Sequence, residues 1–140
     1  MRVQKKISFL IVILSLQNCA TNSNQNFTCK DFEIGKFELI NTSQNRKYVI
    51  ERSKNFQVEK IFDLTSNKKV ESDKYFFIDW KSACEYQLKI DTIKSEYDEI
   101  DLYINSLGGL HNEIIKIEGK CAEIETTFEN QTNKSKICKQ

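Results

Sequence analysis

From Cys84 to Ile90 apolar and polar residues alternate without a break (Cys-Glu-Tyr-Gln-Leu-Lys-Ile), the period of two expected of a strand with one face on a core. Phe56-Gln57-Val58-Glu59 alternates in the same way, and Tyr48-Val49-Ile50-Glu51-Arg52 is a shorter β-branched and aromatic run. Lys74 to Trp80 is apolar at both odd and even positions, which predicts a more central strand covered by a helix or loop. Turn-forming residues break these runs at Asn41 to Arg46, Ser53 to Asn55, Thr65 to Lys69 and Lys81 to Ala83. Short strands separated by tight turns are the sequence form of an antiparallel meander.

One segment changes period. Between Ser95 and Gly108 the apolar residues Tyr97, Ile100, Tyr103, Ile104 and Leu107 fall at helical spacing. Ser95 with Asp98 or Glu99 can cap its start, and Gly108-Gly109 can end it. A strand over Leu102 to Leu107 is the rival reading. Beyond it, Glu113 to Ile117 and Lys120 to Phe128 read as strands joined at Glu118-Gly119, and the polar run Glu129 to Lys136 as the turn of a last hairpin ending at Ile137-Cys138. The expected fold is mainly β: an antiparallel meander or small half-open barrel, with one short helix at about residues 95–108 before the C-terminal strands.

The N-terminus follows a different logic. Arg2, Lys5 and Lys6 precede an apolar run from Ile7 to Leu16. At about ten residues that run is shorter than the ~20 needed to cross a bilayer, so it reads as an export signal. Leu16-Gln17-Asn18-Cys19 resembles the lipobox of bacterial lipoproteins, although small residues are usual where Gln17 and Asn18 stand. The expectation is a signal peptide over residues 1–18, lipidation of Cys19 with diacylglycerol and a further acyl chain such as palmitate, a polar tether over 19–27, and a single β-rich domain over 28–140. Simple secretion is the alternative. Ala20 is not the aspartate that retains lipoproteins at the inner membrane, and Thr21 to Asn26 carry no acidic run of the kind that signals surface export. The expected location is therefore the cell envelope, lipid-anchored at the outer membrane and facing the periplasm.

Of 21 Lys and Arg, three lie in residues 1–18, which leaves a mature chain with 20 Asp and Glu a formal net charge near −2. Its lysines are interleaved with acids, as in Glu51-Arg52, Glu59-Lys60 and Asp73-Lys74, the pattern of a solvated surface. No clustered basic face for nucleic acid is present. Besides Cys19 the chain has Cys29, Cys84, Cys121 and Cys138, an even number that suggests disulfides in an exported chain, with buried thiols as the alternative. A hairpin centred on Glu129 to Lys136 brings Cys121 to Cys138; Cys29 with Cys84 then follows by elimination. The cysteines lack metal-site spacing and the single histidine, His111, is far from them, so neither metal nor cofactor is expected.

Cys29-Lys30-Asp31-Phe32-Glu33-Ile34-Gly35-Lys36-Phe37, Phe56-Gln57-Val58-Glu59, Asp79-Trp80 and Cys84-Glu85-Tyr86-Gln87-Leu88, placed behind a lipobox, resemble a group of small exported lipoproteins of Bacteroidota (flavobacterial) type. The resemblance covers most of residues 29–128 and implies export and source; the group has no established activity to carry over. Some of its members bear the label of a topoisomerase subunit, which a short, slightly acidic, exported chain does not support.

Candidate chemistry is sparse. His111 sits in Gly-Gly-Leu-His-Asn, read as a surface turn without a nucleophile nearby. Asp98, Glu99 and Asp101 lack calcium-loop spacing and suit a helix N-terminus instead. Asp79 and Trp80, with Tyr86, are the candidate ligand pocket, against the plainer reading of Trp80 as core. Phe32, Phe37, Phe56, Phe62, Phe76, Phe77, Tyr86 and Phe128 are enough to line a barrel. The expectation is a non-catalytic, membrane-anchored envelope lipoprotein that binds a small apolar ligand or an envelope protein; the alternative is a secreted disulfide-stabilised domain, or an enzyme with a site not recognisable from sequence.

Overall fold

The computed structural model describes residues 25–140; the expected signal over 1–18, Cys19 and the tether up to residue 24 lie outside the described residues. A 3₁₀ turn, Cys29–Phe32, precedes β1 (Gly35–Asn41), β2 (Arg46–Arg52), β3 (Phe56–Asp63), β4 (Lys74–Trp80), β5 (Glu85–Ile90), helix α1 (Glu99–Ser106), β6 (Leu110–Glu118), β7 (Cys121–Phe128) and β8 (Gln131–Lys139). Each strand pairs antiparallel with the next, and β8 returns to β1 through Phe37↔Lys139, Glu38↔Cys138 and Leu39↔Ile137. The meander thus closes into an eight-stranded barrel with no free sheet edge.

One end of the barrel is packed shut. Phe32 of the 3₁₀ turn is fully buried and stacks on Phe37 of β1, ring centroids 5.7 Å apart. Ile114, Ala122 and Ile137 complete this floor. Two disulfides stand at the same end: Cys29–Cys84 ties the 3₁₀ turn to the approach to β5, and Cys121–Cys138 bridges paired positions of β7 and β8. The other end is a mouth, ringed by the β1–β2, β3–β4 and β7–β8 connections and by the segment carrying α1.

The helix is shorter than expected. Asp98 caps it, accepting the Asp101 N–H at 2.9 Å. Ser95 does not take part: its hydroxyl bonds the backbone of Tyr75 in β4, accepting from N at 2.7 Å and donating to O at 3.1 Å. Asn105 holds the helix to the barrel, its side-chain amide accepting from Ile90 N and donating to Ile90 O, both at 2.9 Å, like one more rung of the ladder. At the exit Gly109 has φ +95°, and a Cβ there would lie 2.3 Å from the Leu88 carbonyl oxygen, so glycine is required twice over.

Four other expectations need correction. The polar run 129–136 is not a turn; only Glu129 and Asn130 turn, and Gln131 onward is strand. Its outward residues meet solvent while Asn133 and Ser135 face a cavity of mixed polar and apolar lining, so this part of β8 is polar on both sides and shows no hydrophobic alternation. The second apolar face of β4 is not covered, since Phe77 is 46 % exposed and packs only beside Phe56 of β3. Phe56 is likewise outside, at 45 % exposure, and does not line the interior, whereas Phe128 shares the inward face of β7 with Ala122, Ile124 and Thr126 and meets Tyr103 of α1 at the mouth. His111 is no turn residue but a β6 strand residue, opposite Gln87 and Thr127.

Candidate ligand cavity

Alternation decides which side chains enter the barrel. On β2 these are Tyr48, Ile50 and Arg52; the hairpin at Ser53–Asn55, closed by Ser53 N donating to Phe56 O at 2.9 Å, sets Gln57 opposite Arg52 and Glu59 opposite Ile50. Gln57 and Glu59 therefore point inward and Phe56 and Val58 outward, the reverse of the phase that their polarity suggests. Above the floor these residues border a cavity of about 390 Å³, the low end of the ~300–1,000 Å³ usual for small-molecule sites. Leu39, Ile50, Leu88, Leu110 and Ile124 supply apolar wall, and Asn41, Gln44, Asn112, Thr126 and Asn133 polar wall.

At its base lies a chain of hydrogen bonds. Arg52, 6 % exposed, donates from Nε to Gln57 Oε1 at 2.6 Å, from one terminal nitrogen to the Phe32 carbonyl at 3.0 Å and from the other to the Tyr86 hydroxyl at 2.6 Å. Gln57, 1 % exposed, passes its amide on to Glu59 Oε1 at 2.7 Å. A donor-only guanidinium on one side and a carboxyl acceptor on the other fix the orientation of the Gln57 amide. The guanidinium also lies 4.5 Å from the Tyr86 ring centroid and 5.9 Å from that of Trp80.

Burial sets the protonation behaviour. Glu59 is half-buried within the barrel wall, and desolvation pushes its carboxyl above the usual range despite the bond from Gln57 and the charges of Arg52 and Lys74. Desolvation likewise raises the Tyr86 phenol, with Arg52 opposing. Tyr48, nearer the mouth, is raised mainly by burial and then by Glu59. Beneath, Asp31 accepts from Thr28 N at 2.8 Å and Thr28 Oγ1 at 2.9 Å, bonds that hold its carboxyl below the ordinary value and order the 3₁₀ turn.

The three residues named from sequence fare differently. Tyr86 lines the cavity, and Trp80 packs against it at 4.6 Å, one layer behind, with its Nε1 buried and without a partner among the described residues. Asp79 does not belong to the site: between two inward residues, it projects outside and pairs with Lys81. Arg52, Gln57 and Glu59 were hidden in sequence because Glu51-Arg52 and Glu59-Lys60 look like surface charge pairs. The available signal was that Arg52 follows Tyr48 and Ile50 at steps of two. The acids Asp98 and Asp101 serve as helix cap, and no group of residues able to hold a metal occurs among the described residues.

Around the mouth, the β5–β6 connection leaves Ile93 93 % and Ile100 66 % exposed, the largest apolar exposures among the described residues. Comparison with protein-family models, with curated proteins and with solved structures gives no match to this chain.

Proposed function

We propose that this chain is a membrane-anchored envelope lipoprotein whose barrel is a non-catalytic carrier of one small ligand with both apolar and hydrogen-bonding surface. The cavity carries the reading: a closed eight-stranded barrel either fills its interior with side chains or holds one small ligand, and here the upper half is left open. Two disulfides suit an oxidising compartment outside the cytosol. Phe27 packs on Phe32 at the floor, so the described chain begins at the closed end, opposite the mouth.

Native mass spectrometry of the purified protein tests the carrier reading: a discrete adduct removed by delipidation and restored by readdition is expected, and a barrel that takes up no small amphipathic molecule rejects it. Labelled palmitate incorporation, lost in Cys19→Ala, tests the anchor; a mature N-terminus downstream of Cys19 rejects it. Exposed Ile93 and Ile100 beside the mouth favour, as a second reading, an envelope protein that docks there.

A further inference from the structure

Arg52 presents an unusual balance of charge and partners. A guanidinium carries five N–H donors, and three of them are spent here on an amide oxygen, a carbonyl and a phenol, all neutral groups. No carboxylate lies in salt-bridge contact with it among the described residues. The nearest acid in the network, Glu59, reaches it only through Gln57. Tyr86 accepts from Arg52, so its own O–H remains a donor with no acceptor among the described residues. Buried charge is costly unless paired, and paired most favourably by a planar oxyanion that takes two N–H bonds at once.

We propose that Arg52, with the Tyr86 hydroxyl beside it, anchors the carboxylate of a small amphipathic acid held inside the barrel. The inference rests on the carrier reading and adds the head group. Arg52, with two unspent guanidinium N–H groups, and Tyr86, with its phenol O–H, both line the cavity, and Leu39, Ile50, Leu88 and Ile124 form its apolar wall. A cationic head has only Glu59 to meet, with Arg52 behind it repelling; a neutral alcohol leaves the guanidinium charge uncompensated. Glu59 tunes the site. Facing it are Arg52 and Tyr48 from β2, Lys74 from β4 and Tyr86 from β5; its ionised carboxylate opposes an incoming anion, and burial raises the pH at which that charge appears.

The test is titration of the delipidated protein with decanoate, decanol and decylammonium, by calorimetry and by fluorescence of Trp80, the one tryptophan of the chain. Decanoate should bind about tenfold or more tighter than either analogue, as expected for a hydrogen-bonded charge pair. Arg52→Gln should erase that preference, bringing decanoate down to the affinity of decanol; Tyr86→Phe should weaken decanoate a few-fold. Should Arg52→Gln fail to fold, Glu59→Gln decides, since it should tighten decanoate and weaken decylammonium. Equal or tighter binding of decanol or decylammonium, a preference that survives Arg52→Gln, or one that Glu59→Gln and Tyr86→Phe both leave unmoved overturns the carboxylate anchor while the carrier reading stands. Failure of all three probes to bind overturns both.

Discussion

The two ends of the barrel are built from the same strands to opposite purposes. In β1, Phe37 at the closed end is fully buried against Phe32, whereas Leu39, two residues on and on the same face, only borders the cavity. Both disulfides lie at the closed end and none among the described residues at the mouth, where Asn41, Gln44 and Asn133 form the wall. The comparison teaches that cross-links and a dense floor carry the stability, which frees the upper half to leave space and to bury polar groups. An eight-stranded barrel of this length needs only part of its interior as core.

The largest effect should come from the cross-link that holds the floor. Closing 55 residues, Cys29–Cys84 contributes about 4 kcal/mol in the chain-entropy model and Cys121–Cys138, closing 17, about 3 kcal/mol. Paired Cys→Ser variants should lower the urea midpoint in that order; equal or negligible losses would mean that the floor does not depend on its cross-links. Next, Phe37→Ala should cost about 4 kcal/mol and Leu39→Ala less than about 2 kcal/mol, because only the first opens a cavity in packed core. Equal costs in equilibrium unfolding would erase the distinction between the two ends.

Asn105→Ala removes both bonds between α1 and Ile90 and should cost about 2 kcal/mol. Hydrogen exchange should rise over residues 91–109 and stay unchanged in β7 and β8; a uniform rise would show that the mouth is not independent of the floor. The smallest effect is one of pH. The folded-state pKa of Glu59 is raised, so the folded protein binds more protons than the unfolded chain between the ordinary glutamate value and the raised one, and stability falls as pH climbs through that window. Glu59→Gln should flatten this slope and raise the neutral-pH midpoint; an unchanged profile would place the carboxyl in ordinary solvation.

Sequence and structure agree where the inward side chains of a strand are the apolar ones. In β5, Tyr86, Leu88 and Ile90 are buried and Lys89 is exposed, as the alternation implies. They part where polar side chains are the inward ones. In β3 the polar residues Gln57 and Glu59 point in and Phe56 points out, since a pleated strand has two phases and polarity identifies the inner one only if the interior is apolar. For the same reason Arg52 passed for a surface charge.

The chain by itself determined the mainly β meander, the single helical segment and the four cysteines available for pairing, because periodicity, turn residues and spacing are local properties. Closure of β8 onto β1, the inward phase of β3 and the burial of Arg52 above Phe32 were decided only by the tertiary structure. Each depends on strands distant in sequence coming into register, so that the polarity of the space they enclose, set by all of them together, fixes which side chains can be buried there.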